Sequence, residues 1–219
     1  MLKFVDKVIS IIYPKRCPFC DKIIKASLDI CDDCKINVMP IFIKRSIVLS
    51  GKEIPCVSPF KYTGDVAESV KRFKFRGRKE YSTCLVKFML ETFNLYYRNN
   101  TIDFVTSVPL HSKRKRERGY NQAEVLVRNL GYELNLKYKE ALKKDKINLQ
   151  QHNLSYEERE DNVKGVYSAK NKDIIKGSKI LICDDVITTG NTLKECCRVL
   201  YENGADEVLC ITLASTKLK

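Results

Sequence analysis

Four clusters of residues in this chain have types and spacings suited to chemistry. The first is Asp184-Asp185 followed by Val186, Ile187, Thr188, Thr189, Gly190, Asn191 and Thr192, an acid pair and then a small, hydroxyl-rich run. The carboxylates are acceptors whose natural partners are sugar hydroxyls or a divalent cation. The three threonines offer hydroxyl donors, and Gly190 lets the backbone approach a ligand closely, so the run suits a sugar phosphate. The second is Cys17-Pro18-Phe19-Cys20 with Cys31-Asp32-Asp33-Cys34, a C-x2-C-x10-C-x2-C array. Four thiolates with no open position suit structural zinc rather than catalytic zinc. A redox role for either C-x-x-C pair is the alternative, although two pairs this close would be an odd redox design.

The other two clusters are basic. Lys71, Arg72, Lys74, Arg76, Arg78 and Lys79 alternate with Phe73 and Phe75, a pattern that could neutralise phosphates and stack on bases. The competing reading is a solvated helix end anchored in the core by its two phenylalanines. The run from His111 to Gln122 holds Lys113, Arg114, Lys115, Arg116 and Arg118, enough cations for a multiply charged group such as pyrophosphate.

These groups require particular elements to position them. Ile180 to Cys183 has the length and branching of a buried parallel strand, and Asn191 to Asn203 has helical character up to Gly204. The loop between them therefore sits beyond the carboxyl end of a parallel sheet, where helix-initial N–H groups favour an anion. Thr101 to Val108 reads as a second parallel strand stopped by Pro109, with the basic run as a loop after it and a helix from Ala123 to Leu130 ended by Gly131. Both loops then share one edge of one sheet. Ile54 to Tyr62 resembles a strand, Asp65 with Glu68 a capping box opening a helix, and Tyr81 to Arg98 a long helix. Ser155 to Glu158 reads as the cap of a short helix, and Val163 to Tyr167 as a strand; Arg159 and Asn162 either tie that helix to the sheet, the favoured reading, or line the ligand cleft.

At 219 residues, with 44% hydrophobic residues, the chain allows one sizeable α/β domain plus a small appendage. No apolar run approaches the roughly 18 residues of a membrane helix, and Lys3, Asp6 and Lys7 interrupt the amino-terminal run, which argues against a signal peptide. Leu2, Val5, Val8, Ile9 and Ile12 form one helical face that is expected to pack on the protein, a membrane anchor being the lesser alternative. Met39 to Ile54 lacks periodicity and marks the expected boundary between a zinc-binding unit, residues 1–50, and a larger domain, residues 51–219. Ten cysteines, four of them in the paired array, fit metal binding in a reducing, cytoplasmic setting, and the remaining six read as small buried hydrophobes. A formal charge of +13 favours an anionic partner.

The segment from Lys179 to Thr192 resembles the signature of the type I phosphoribosyltransferases, which bind phosphoribosyl pyrophosphate (PRPP). That resemblance implies that Asp184 and Asp185 contact the ribose 2′- and 3′-hydroxyls and that Thr188 to Thr192 hold the 5′-phosphate. Val108-Pro109-Leu110-His111, Arg118-Gly119-Tyr120-Asn121-Gln122, Gln151 to Leu154, Glu158-Arg159 and Asn162 to Tyr167 are together similar to the ComF family of bacterial competence proteins. That family joins an amino-terminal four-cysteine zinc module to a phosphoribosyltransferase domain. Lys143, Lys144 and Lys146 stand where arginine would be expected in relatives, a departure in phosphate recognition.

The resemblance implies attack of a nucleophile on C1′ of PRPP with departure of pyrophosphate. Mg²⁺ would bridge pyrophosphate and ribose oxygens, Arg118 and the Lys113 to Arg116 cluster would stabilise the leaving group, and Pro109, Leu110, Lys113 and Arg114 would line the PRPP site. No residue stands out as a general base, so the acceptor is not named. Two functions follow: a PRPP-binding protein of DNA uptake that handles single-stranded DNA alongside other competence proteins such as a helicase, or a metabolic or salvage phosphoribosyltransferase acting on a base or amine.

Overall fold

The computed structural model describes residues 14–146 and 165–217. The expected amino-terminal helical face, the cap at Ser155 to Glu158, and Gln151 to Leu154, Arg159 and Asn162 lie outside the described residues.

The described elements are, in order, α1 (Asp32–Asn37), β1 (Ile43–Leu49), β2 (Lys52–Ser58), β3 (Phe60–Lys61), α2 (Gly64–Phe75), α3 (Tyr81–Tyr96), β4 (Phe104–Ser107), α4 (Ser112–Arg118), α5 (Gln122–Glu133), β5 (Leu142–Lys144), β6 (Tyr167–Ala169), β7 (Lys179–Ile187), α6 (Asn191–Glu202) and β8 (Glu207–Ser215). The main sheet runs β1-β2-β8-β7-β4, with β3 also pairing with β8. Its central pairings are parallel, with Ile180 to Cys183 of β7 flanked by Phe104 to Ser107 on one side and Val208 to Ile211 on the other. Within this sheet only the β1–β2 pair is antiparallel, so β1, on the amino-terminal side of the expected boundary at residue 50, belongs to the main sheet; β5 and β6 form a separate antiparallel pair.

Apolar side chains cover both faces, as a parallel sheet requires. Leu181 and Cys183 point into a core shared with α2, α3 and α5, whereas Ile180 and Ile182 point into one shared with α6. Phe19 of the cysteine module belongs to the first core and meets Phe60 and Phe88 edge-on, with ring centroids 5.5 and 6.0 Å away.

Several local expectations are corrected. α2 starts one residue before Asp65, with Thr63 as its N-cap and no side-chain capping bond, so Asp65 complements the helix dipole instead of closing a capping box. The basic run folds as the short helix α4, ended by Gly119 at φ +77°. α5 does not stop at Gly131. This glycine is inside the helix because a β-carbon there would lie 2.8 Å from the Leu136 carbonyl oxygen and 2.9 Å from a Val105 methyl, so close packing against β4 explains it and a cap does not. β7 is longer than expected and carries both acids within the strand.

Candidate functional site

β7 places Asp184 and Asp185 near the carboxyl edge of the sheet, with successive side chains on opposite faces. The Asp184 Oδ1 accepts the Asp185 backbone N–H at 2.8 Å. Asp185 is buried and forms an ion pair with the Lys74 ammonium at 2.7 Å. Burial, and then the charge of Asp185, push the Asp184 carboxyl up to about 7, while Lys74 pulls it back. Burial opposes the charge of Lys74, yet the attraction of Asp185 and then of Asp184 more than offsets it, and the lysine pKa is raised.

Beyond the strand, Gly190 takes φ +91° and caps α6, a conformation that a β-branched or bulky residue would resist. Its carbonyl accepts the Lys194 N–H at 2.8 Å, and Thr189 Oγ1 accepts the Asn191 N–H at 3.4 Å. The Thr188 carbonyl is held by Arg45 at 3.2 Å and by the Thr216 hydroxyl at 3.5 Å. Residues Asp184 and Val186 to Leu193 line one hollow. Asn191 is one of these residues, and its side-chain amide nitrogen is buried without a hydrogen-bond partner. A buried donor in that state costs about 1–3 kcal/mol. The buried Tyr167 of β6 lies beside Thr192, and its hydroxyl pKa is raised by burial.

Cations surround the pair from three elements. Lys74 comes from α2. Lys144 of β5 has its pKa lowered by burial and by Arg114, and Asp184 acts in the opposite sense. Arg118 of α4 is desolvated, which lowers its pKa, and is attracted to Asp185. Its guanidinium bonds to Gln122 Oε1 at 3.2 Å and stacks over Phe75 at 4.8 Å. Pro109 and Leu110 follow β4 at the same sheet edge, while Lys113 is exposed.

The residues Tyr120-Asn121-Gln122 are the joint of this arrangement. Tyr120 packs edge-on against Phe73, centroids 5.7 Å apart, and its hydroxyl donates to the Phe73 carbonyl. Asn121 caps α5 through the Ala123 N–H at 3.1 Å and donates to the Val108 carbonyl at 2.9 Å. Gln122 accepts from Arg118 and donates to the Lys74 carbonyl at 3.2 Å.

The six basic residues between Lys71 and Lys79 go separate ways. Lys71 pairs with Glu68 at 2.7 Å, and Arg72 donates to the Phe19 and Pro18 carbonyls of the cysteine module. Lys74 faces the acid pair, Arg78 lies 3.4 Å from Glu80, and Lys79 sits 4.8 Å over the Tyr120 ring. Arg76 is exposed. Of the two aromatics, Phe73 is fully buried and Phe75 is 66% exposed.

Cys17, Cys20, Cys31 and Cys34 converge, with all four sulfurs within 4.8 Å of one another. Tetrahedral Zn–S bonds of about 2.3 Å put sulfurs about 3.8 Å apart, so the set fits one zinc ion. Cys31 Sγ also accepts the Cys34 N–H at 3.4 Å. Sequence reasoning missed Lys74 and Lys144 as neighbours of the acid pair, and Tyr167 and Arg45 as supports of the loop. Only the tertiary fold joins them to it.

The chain aligns with two domain families, the phosphoribosyl transferase domain over residues 116–218 and the double zinc ribbon domain over residues 8–47. It is 32% identical over 165 residues to the DNA utilization protein YhgH of Salmonella typhi, covering 72% of each chain. It is a ComF-family protein. A Salmonella typhimurium relative of the same name is 28% identical over 208 residues, covering 90% of each chain. Competence protein ComFC of Bacillus subtilis is 28% identical over 86% of this chain and 72% of that one. The ComF-family assignment agrees with the parallel sheet and with the four-cysteine module, which is a zinc ribbon ahead of a type I phosphoribosyltransferase fold. None of the helices among the described residues is long and apolar enough to cross a membrane.

Proposed function

We propose that this ComF-family chain binds PRPP at the carboxyl edge of its sheet and transfers the phosphoribosyl group in the course of handling single-stranded DNA in the cytoplasm. The observation that carries the PRPP reading is the pairing of two carboxylates near the end of β7 with a hollow lined by Asp184 and by the hydroxyl-rich residues Thr188 to Thr192. Acceptors for a vicinal diol lie beside donors for a phosphate, in the order a 5-phosphoribosyl group presents them. The names of its relatives, a DNA utilization protein and competence proteins, support the DNA reading.

Asp184 and Asp185 accept the ribose hydroxyls, and residues Thr188 to Thr192 hold the 5′-phosphate through N–H and hydroxyl groups. Arg118, Arg114 and Lys144 lie on the leaving-group side. As the C1′–O bond breaks, its electron pair departs with pyrophosphate, a bond from the acceptor to C1′ forms, and the acceptor proton passes to solvent. These cations stabilise the charge that develops on the leaving oxygens. Mg²⁺ arriving with PRPP would supply further neutralisation of the pyrophosphate. The zinc ribbon (residues 1–50) and the transferase domain (residues 51–219) divide the work, with exposed cations such as Arg76 and Lys113 available to nucleic-acid phosphates.

Calorimetric titration with PRPP, with and without Mg²⁺, tests the site. Saturable binding that is weakened in Asp184→Asn/Asp185→Asn, with zinc content unchanged, is expected; absence of binding by the native protein overturns the reading. Single-stranded oligonucleotides should bind with an affinity that falls steeply with salt, and salt-insensitive or absent binding counts against the DNA role.

A further inference from the structure

We propose that Lys74 is the resident counter-cation of the Asp184–Asp185 pair and holds it ready for the ribose diol without a divalent metal. This inference rests on the phosphoribosyl reading of the site and assigns within it a residue whose place in the sequence points to nucleic acid.

Two carboxylates side by side at the edge of a low-dielectric sheet repel each other, and the usual relief is proton uptake. A protonated pair offers a poorer set of acceptors to two sugar hydroxyls. Lys74 supplies part of that relief as charge, since its ammonium lies 2.7 Å from Asp185 Oδ1 with both side chains largely shielded, 21% and 12% exposed, and it lowers the Asp184 carboxyl that burial and Asp185 raise. The ammonium carries three donors, and the others remain available to ligand oxygens.

The lysine is aimed by its surroundings. Phe73, the preceding residue, is fully buried against Tyr120, and the Tyr120 hydroxyl donates to its carbonyl. The Lys74 carbonyl itself accepts from Gln122, and Arg72 on the same helical turn is fastened to the zinc ribbon through the Phe19 carbonyl. Three consecutive residues are thus fixed from both sides, so the ammonium is delivered to Asp185 by packed structure and not by a free side chain. Lys144, Arg118, Tyr62 and Tyr167 also face these groups from other elements, but Asp185 has its ion pair with Lys74.

The test uses the full zinc-loaded chain with Lys74→Met and Lys74→Arg. Ribose 5-phosphate, which lacks pyrophosphate, is titrated calorimetrically in buffer freed of Mg²⁺ by a chelating resin, with no chelator in solution and zinc content checked, and the carboxyl carbons of Asp184 and Asp185 are followed against pH by carbon-13 NMR without ligand. Native protein should bind ribose 5-phosphate in this Mg²⁺-free buffer. Lys74→Met should bind about tenfold more weakly, the equivalent of about one pKa unit, and its carboxyl titration should move upward by a similar amount. Lys74→Arg should restore most of both, and adding Lys74→Met to Asp185→Asn should weaken binding no further. Unchanged affinity and titration in Lys74→Met, or tighter binding as expected of a plug that ligand must displace, overturns the proposal. If native protein binds neither ribose 5-phosphate nor PRPP, the functional reading falls, and the ligand-free titration still decides whether Lys74 sets the charge of the pair.

Discussion

The zinc ribbon and the acid-pair site are both clusters of ionisable side chains, yet they are built in opposite ways. All four sulfurs of the ribbon come from residues 17–34, close together in sequence, and they form a closed set for one ion. The acid pair is contiguous in sequence, but the groups that set its charge come from position 74 on α2, position 118 on α4 and position 144 on β5. The ribbon is a local device that needs a metal to exist. The acid pair is a tertiary device whose charge state is written by the fold.

The largest effect that would separate the two is loss of the metal. Cys34→Ser, or stripping by a strong chelator, should abolish zinc binding and unfold the ribbon, since metal binding supplies on the order of 10 kcal/mol in isolated zinc fingers. Metal analysis and limited proteolysis would read this. The parallel sheet should lose less, and a complete collapse of the sheet would break the contrast.

Next comes Asp185→Asn, which strands the Lys74 ammonium in a largely shielded place. Leaving one partner of such a pair uncompensated costs about 3 kcal/mol, visible as a lower urea midpoint. Lys74→Met with Asp185→Asn should recover part of the loss, because the orphaned charge is then gone.

A smaller effect concerns pH. The Asp184 carboxyl titrates near 7 in the folded protein, against an ordinary value of 3.8. Between these values the folded chain holds a proton that the unfolded chain has released, so the contribution of this group to stability falls as pH rises from about 4 to 7 and is level above that. Melting temperatures measured across this window should decline less in Asp184→Asn than in the native protein. An identical pH profile would contradict the assigned cause.

Smaller again is Gly190→Ala, where φ of +91° would strain any L side chain by about 1–2 kcal/mol while the nearest atom, Ile187 Cδ1, lies at an unremarkable 3.6 Å. The smallest is Lys115→Ala, which removes an exposed 3.0 Å pair with Glu124 and should change stability by less than about 1 kcal/mol.

The same contrast explains what could be read from the sequence. The ribbon was legible because cysteine spacing alone brings the ligands together, and the β7 loop because strand, acids, small loop and helix follow one another directly. Gly131 was misread as a stop because its cause, the approach of Leu136 and Val105, is not local. The basic run was read as a loop because its charges hide a helix that buries no residue and so leaves no apolar period. Lys74 looked like one of six equivalent cations, since nothing in its neighbourhood distinguishes the one that meets Asp185 from Arg76, two residues on, which is exposed.

The central claim is that the acid pair and the loop after it hold a 5-phosphoribosyl group. Crystals of the zinc-loaded protein soaked in PRPP test it most directly. The account predicts density for the 5′-phosphate among the N–H groups of residues 189–192 and the Asn191 amide, with the ribose 2′- and 3′-oxygens within hydrogen-bond distance of Asp184 and Asp185. Phosphate density at another place, or an empty hollow at saturating PRPP, would contradict it.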